Sequence, residues 1–523
     1  MAGRVLITSA LPYVNNEPHL GNIVGSVLSA DVYARYCRSK GLDVLFVCGT
    51  DEYGTATEVK AKELGMTCRE LCDTFHQVHK TVYEWFQCSF DVFGRTSSSS
   101  QATISQDIVR GLWNRGFLLE RTTQQLWSEP LAMFLADRYV IGGCPGCGSG
   151  DARGDQCDAC GSLLTPSELV EPRCAVTGAT PSLRETTHLY LDLPALTPAL
   201  TDYVRGCQHE WSHNCSAITK AWMDRGLCAR SITRDLSWGT PVPVPGYESK
   251  VLYVWFDAPI GYISITAEAR EDWESWWKDP RVELVQFMGK DNVPFHTIVF
   301  PATLLGTGQE WTMMGKASVT EYLRFEGNKF SKSRGIGVFG SDAMESGVKS
   351  DVWRYYLMSI RPETSDTSFS WADFASKVNA DLNDNLGNFV HRTLTFIHNK
   401  GVPRPDVVAN VLSAKVEELV CQYTAAMDGR RLKEALRAAI SVSKLGNAYF
   451  QEARPWTDPV GTAGNVWECA GLVMVLGALL QPFMPGFATW VASHLGPLPS
   501  LSALQDVHPA LSDIKPVPYF SKM

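Results

Sequence analysis

Two C-x-x-C pairs, Cys144 with Cys147 and Cys157 with Cys160, stand nine residues apart in "CPGCGSGDARGDQCDACG". Four thiolates at that spacing, with glycines beside the sulfurs, can surround one metal ion tetrahedrally, and an all-sulfur set favours zinc in a closed structural site. Two disulfides or four unrelated thiols would also account for them. A second group, Lys329, Ser331, Lys332 and Ser333 in "GNKFSKSRG", puts two ammonium groups and two hydroxyls on a glycine-flanked loop. Mobile point charges of this kind suit a polyphosphate whose charge is neutralised as it develops; a solvated surface loop is the plainer reading. The third group lies in "RVLITSALPYVNNEPHLGN", where Pro18 closes a strand and loop and His19 begins a helix. Free backbone N–H groups and the positive end of the helix dipole attract phosphate at such a place. His19 and Asn22 would add N–H donors, and Gly21 would let a nucleotide ring pack against the backbone. A histidine in this position also serves as a cap or a packing residue.

These groups need elements to hold them. "RVLITSA" reads as a short strand, Leu20, Ile23, Val27, Ala30 and Ala34 recur at helical spacing, and "DVLFVCG" reads as the next strand after Gly41. This is half of a doubly wound parallel sheet, whose ligands bind at the carboxyl ends of its strands, where Leu11 to Tyr13 and Gly49 to Asp51 would lie. From about residue 93 to 230 the pattern gives way to a cysteine- and glycine-rich insertion; "SKVLYVWFDAPIGYI" then resumes strand character, and "ELVQFMGKD" reads as a further strand. From about 377 the signal is helical, with Leu382, Leu386, Val390, Leu394 and Ile397 in one apolar stripe. Asn388 and Arg392, offset by two residues from that stripe, fall on the opposite face. The Ser97 to Ser100 tract reads as a loop capping a helix.

A length of 523 residues predicts three or four domains. With 45% hydrophobic and 20% charged residues the composition is that of a globular protein, and the net charge of −9 argues against indiscriminate nucleic-acid binding. Residues 377–523 contain 13 Lys and Arg against 12 Asp and Glu, so the acidic excess lies in the N-terminal part. "GLVMVLGALL" is too short to span a bilayer and reads as a buried helix. No secretory signal pattern opens the chain and the fifteen cysteines form no framework, so a cytoplasmic protein without a membrane partner is expected.

"HLGN" after the first strand and "KFSKS" some 310 residues later resemble the HIGH and KMSKS signatures of class I aminoacyl-tRNA synthetases. The segments "SALPYVNNEPHLGN", "GTDEYGT", "YVWFDAPIGY" and "GKDNVPFH", together with the four-cysteine knuckle, are similar to methionyl-tRNA synthetases of the eukaryotic cytosolic type. The resemblance implies an α/β fold: a Rossmann-type doubly wound parallel sheet, a zinc-knuckle insertion and a C-terminal α-helical bundle. The expected division is 1–117 and 231–323 for the two halves of the catalytic domain and 118–230 for the insertion. Residues 324–376 would carry the KMSKS loop and stem-contact region, and 377–523 an anticodon-binding domain.

The same resemblance implies roles. Catalysis falls to His19, Asn22, Lys329 and Lys332, and ATP binding to His19, Gly21, Asn22, Gly289, Asp291, Phe330, Ser331, Lys332 and Ser333. Leu11, Tyr13, Trp255, Ala258, Pro259, Tyr262, Asn292 and His296 form the methionine pocket, with Asp51 pairing the substrate ammonium. Aromatic walls suit a thioether. Cys144, Cys147, Cys157 and Cys160 hold one structural Zn²⁺, and Mg²⁺ accompanies ATP. Asn388, Arg392 and Trp456 read the anticodon of tRNA(Met) by hydrogen bonding and base stacking. The second histidine of HIGH is Asn22, which keeps an N–H donor but cannot be protonated. The KMSKS methionine is Phe330, which keeps apolar packing. Some relatives carry a second cysteine knuckle; the matching places are Ser128, Leu131, Cys174 and Thr177, so one zinc is expected, with Cys174 a plain thiol. No C-terminal appendage is seen, and a monomer is expected. A class I synthetase for leucine, isoleucine, valine or cysteine, a nucleotidyltransferase, and a tRNA-binding relative without catalysis are the competing readings.

Overall fold

The computed structural model describes residues 3–327, 337–405 and 413–523, apart from 155, 156, 158, 161, 163 and 506. Its central sheet is built from β1 (Arg4–Ser9), β2 (Asp43–Thr50), β3 (Val92–Arg95), β4 (Val282–Gly289) and β5 (Met314–Thr320) in the order β5-β4-β1-β2-β3. Every pairing is parallel. β1, β2 and β4 are buried on both faces, which is why they read as unbroken apolar runs. The chain winds from β1 toward β3 on one side and returns to β4 and β5 on the other. The crevice between β1 and β4 is therefore the topological switch point. β3 ("VFGR") and β5 ("MGKASVT") carry little apolar signal and were not expected from the pattern.

The expectation that "SKVLYVWFDAPIGYI" is a strand is corrected. Only Val251–Leu252 is extended; Val254–Asp257, Ala258–Ile260 and Gly261–Ala269 are helical. Pro259 has no N–H to give a ladder but fits the first turn of a helix. Burial on nearly all sides erases the period that separates helix from strand.

The insertion is antiparallel. Leu118–Ser128 pairs along its length with Ser182–Leu191, and a smaller three-stranded sheet of Val140–Gly143, Ala152–Arg153 and Val170–Cys174 carries the cysteine knuckle. Helix Ser99–Asn114, capped by Ser98 as the serine tract suggests, precedes it.

Beyond Trp371 the molecule is helical. Trp371–Lys377, Val378–Gly387 and Asn388–Lys400 follow without a break, the middle segment wound as a π-helix. Ala414–Asp428, Leu432–Ala453, Ala463–Leu480 and Pro485–Leu495 complete a bundle in which the apolar Ala463–Leu480 is mostly buried, as read. Arg354, fully buried, joins this bundle to the sheet domain. Its guanidinium donates to the carbonyls of Phe483, Pro482 and Phe86 and pairs with Asp31 at 2.7 Å.

Candidate functional site

A cleft of about 1220 Å³ opens at the carboxyl ends of β1, β2, β4 and β5. After β1 the chain keeps pairing with the end of β2: the Pro12 carbonyl accepts from Asp51 N–H at 2.9 Å, and Val14 N–H donates to the Asp51 carbonyl at 3.2 Å. Pro12 supplies only an acceptor here, so its missing N–H costs nothing. This pairing fixes Tyr13 beside Asp51. Asp51 is 3% exposed, and its Oδ1 has no hydrogen-bond partner among the described residues. Burial, then the nearby Asp257 and Glu52 carboxylates, push its pKa well above the usual range.

The wall beside Asp51 is aromatic. Trp255 Nε1–H donates to the Tyr13 hydroxyl at 3.1 Å, and the Trp255 ring packs on Phe295 with centroids 4.6 Å apart. Deeper in, His296 lies between two partners. The Asn292 carbonyl can only accept, so Nδ1 carries the proton and donates at 2.8 Å; Nε2 then accepts from the Tyr262 hydroxyl at 2.8 Å. Burial lowers the His296 pKa to about 4, which keeps this arrangement neutral. Leu11, Ala258 and Pro259 line the same space. All nine residues expected around an amino acid, eight for its side chain and Asp51 for its ammonium, therefore line one cleft.

His19, Gly21, Asn22, Gly289 and Asp291 line it too. His19 is the N-cap of the helix that starts at Leu20: its Nδ1 accepts from Asn22 N–H at 3.2 Å, and Asn22 Oδ1 accepts from His19 N–H at 3.2 Å. Nδ1 is thereby the acceptor nitrogen, and Nε2 carries the hydrogen. Burial lowers the His19 pKa to about 4, so the ring is a neutral donor at pH 7.

The same geometry engages much of the helix start expected to offer free backbone N–H groups. The His19 and Asn22 N–H groups serve the capping box, and Leu20 N–H donates to the Val338 carbonyl at 3.1 Å. Three of the N–H groups at this end are therefore used within the protein, and the side chains of His19 and Asn22 add donors beside them. Gly21 also has a second use: a Cβ there would lie 2.9 and 3.0 Å from two His19 ring atoms. Past Asn22 the helix widens into a π turn, Ile23–Val27, which leaves the Gly25 carbonyl to accept from Thr320 Oγ1 at 2.9 Å and ties the helix to β5.

Lys329, Phe330, Ser331, Lys332 and Ser333 lie outside the described residues, but the chain on either side of them is placed. Phe339 forms an antiparallel bridge with His19, Gly340 N–H donates to the Pro18 carbonyl at 2.9 Å, and a Cβ on Gly21 would be 3.7 Å from the Leu323 carbonyl. Both flanks meet the His19–Gly21 segment.

In the insertion, the sulfurs of Cys144, Cys147, Cys157 and Cys160 all lie within 4.8 Å of one another. Cys144 and Cys160 are 3.9 Å apart and Cys147 and Cys157 3.7 Å. A disulfide needs about 2.05 Å, whereas sulfurs about 2.3 Å from a tetrahedral metal ion stand about 3.8 Å apart. The donor set fits one zinc-like ion and not two disulfides. Residues 174–179 repeat the knuckle's backbone: Gly178 N–H donates to the Cys174 carbonyl and Cys174 N–H to the Ala179 carbonyl, as Gly148 and Cys144 do with Cys144 and Ser149. The turn persists there with Thr177 where a thiolate would stand.

In the helical domain Asn388 is exposed, and Arg392, on the face opposite the apolar stripe, meets a neighbouring helix. Its guanidinium donates to the Asn447 carbonyl at 2.6 Å and stacks over Phe450 at 4.5 Å, because Leu432–Ala453 packs along that flank. Asn388 approaches the same Asn447 at 3.5 Å. Trp456 is 49% exposed, so it is not a core aromatic.

Three supporting groups escaped the sequence reading. Glu52, fully buried next to Asp51, accepts from Thr50 and Arg95 and bonds Ser97. His79 Nε2 meets the Asn16 carbonyl at 2.9 Å and holds the loop before His19. Tyr322 contacts Asp291. Adjacency to "GTD" could have flagged Glu52; the other two depend on contacts between distant segments.

The family model described as "tRNA synthetases class I (M)" matches residues 5–394, and that described as "Anticodon binding domain of methionyl tRNA ligase" matches residues 404–521. A "Probable methionine--tRNA ligase" of Oryza sativa subsp. japonica is 51% identical over 96% of this chain and 66% of its own length. The "Methionine--tRNA ligase, cytoplasmic" of Arabidopsis thaliana is also 51% identical, over 96% and 66%, so the chain spans about two thirds of these relatives. A crystal structure of the Mycobacterium tuberculosis methionyl-tRNA synthetase bound by methionyl-adenylate shares the fold, with a TM-score of 0.81 at 23% identity over 99% of this chain and 100% of that one.

Proposed function

Because the chain belongs to the class I tRNA synthetase (M) family, we propose that it is a methionine–tRNA ligase that joins L-methionine to ATP and then to tRNA(Met). The observation that carries this reading is Asp51, a buried carboxylate with one oxygen unpartnered among the described residues, set against an aromatic pocket in the same cleft as His19 and Asp291. An ammonium ion supplies the missing partner and favours the charged form of Asp51. Tyr13, Trp255, Pro259, Tyr262 and His296 then enclose a flexible thioether, which packs well against ring edges. Asn292 contributes the carbonyl that fixes His296.

In the first step the methionine carboxylate oxygen attacks the α-phosphorus of ATP, the bond to the bridging oxygen breaks, and pyrophosphate leaves. His19 donates Nε2–H toward the phosphates without changing its own charge, and Asn22 offers its amide N–H₂ while its Oδ1 is held in the cap. Lys329 and Lys332, with Ser331 and Ser333, neutralise the leaving group from the loop whose flanks reach His19. Phe330 keeps an apolar side chain at the methionine place of the signature. Gly289 and Asp291 hold the adenosine ribose, and Mg²⁺ travels with ATP to screen its charge. In the second step a ribose hydroxyl of the tRNA 3′ end attacks the acyl carbon and AMP departs. Positioning and preorganised donors supply the rate, with no side-chain nucleophile.

Cys144, Cys147, Cys157 and Cys160 would hold one structural zinc ion that braces the insertion. Asn388, Arg392 and Trp456 would read the anticodon, Trp456 by stacking. The chain would work as a monomer, and the names of the relatives support a cytoplasmic setting. Amino-acid-dependent ATP–pyrophosphate exchange tests the reading: methionine should support exchange and leucine, isoleucine, valine and cysteine should not. Exchange with another amino acid, or with none, would overturn it.

A further inference from the structure

Asp291 and Tyr322 stand just past the ends of the neighbouring strands β4 and β5, and both line the cleft. The Tyr322 phenol oxygen is 2.7 Å from each Asp291 carboxylate oxygen. A phenol has one hydrogen and can donate to only one of the two at a time, while an ionised carboxylate offers about four acceptor positions. Two adjacent hydroxyls on a ligand can therefore still be accepted.

The phenol is aimed from a fixed base. Tyr322 N–H donates to Asp366 at 3.1 Å, and the Lys290 ammonium lies 4.0 Å from the ring centroid. Lys290 is itself held by Glu321 at 2.6 Å and Asp366 at 3.3 Å, and Arg324 grips the other Asp366 oxygen. Burial and the nearby Asp291 carboxylate raise the phenol pKa, so the group remains a donor across the working pH range.

We propose that Tyr322 is a positioning residue for nucleotide recognition: its hydroxyl fixes the Asp291 carboxylate so that the remaining lone pairs accept the vicinal 2′- and 3′-hydroxyls of the ATP ribose. The proposal rests on the ATP-dependent reading given above. Removing one charge-assisted hydrogen bond to a carboxylate is worth on the order of a tenfold change in an equilibrium.

Tyr322→Phe and wild type are compared for binding of ATP and of 2′,3′-dideoxy-ATP, and for ATP–pyrophosphate exchange with methionine. The expected result is about a tenfold weaker Kd and higher KM for ATP in the variant, an unchanged KM for methionine, and no difference between the two proteins with the dideoxy nucleotide. An equal loss with both nucleotides would mean that Tyr322 only supports the fold of the site, and tighter ATP binding would mean that it competes with the ribose. Either result overturns the proposal while exchange by the wild type stands. Absence of exchange by the wild type would instead overturn the enzymatic reading, and the two binding series would still decide the role of Tyr322.

Discussion

Two neighbouring carboxylates meet burial in different ways. Among the described residues Asp51 leaves Oδ1 without a partner, whereas Asp257 accepts from the hydroxyls of Ser105 and Thr240. Burial pushes the Asp257 carboxyl up to about 6. Between about pH 4 and 6 the folded chain keeps a proton that an unfolded chain has released, so this group favours the fold at low pH. That contribution is lost as pH rises through 6, and above it the buried charge costs about 3 kcal/mol. Asp257→Asn should therefore gain stability relative to wild type between pH 5 and pH 8, measured by urea unfolding at both. A difference independent of pH would contradict the assignment.

At the scale of elements, the helix starting at Leu20 would present His19 and Asn22 to the phosphates. Its cap fixes the tautomer of His19, and Gly21 leaves room for the ring. Gly21→Ala should displace His19 and lower kcat for activation about a hundredfold, the order expected for losing one preorganised donor, while KM for methionine changes little. Equal effects on the two constants would contradict it. Legibility follows the same logic. β1, β2 and β4 were readable because apolar runs buried on both faces leave a plain signal, and the cysteine knuckle because its ligands are local. β3 and β5 were not, since their short segments are made strands by their neighbours. "SKVLYVWFDAPIGYI" carries a strand-like pattern because uniform burial hides its helical period. The pocket residues came from family likeness, and their convergence on one cleft is what the geometry adds. The capping box could have been anticipated from His19 and Asn22, three residues apart, had asparagine been weighed as an acceptor as well as a donor.

The whole molecule is held together by buried polar bonds as well as by apolar packing. Arg354 reaches three backbone carbonyls and Asp31, and Asp31 also accepts from Ser89 and pairs with Arg35. Because Asp31 lies on the helix that begins beside His19, the helical domain is anchored to the element that carries His19 and Asn22. Arg354→Leu should cost about 3–5 kcal/mol by leaving a buried carboxylate short of charge, read as a lower urea midpoint; an unchanged midpoint would contradict that role. The central claim is that His19, Asp51 and the aromatic pocket act together on methionine and ATP. Active-site titration tests it most directly. With methionine and ATP, pyrophosphatase present and no tRNA, the wild type should consume one ATP per chain in a burst and retain methionyl-adenylate. Asp51→Asn should show no burst at a methionine concentration that saturates the wild type. A full burst in the variant, or none in the wild type, would contradict the account.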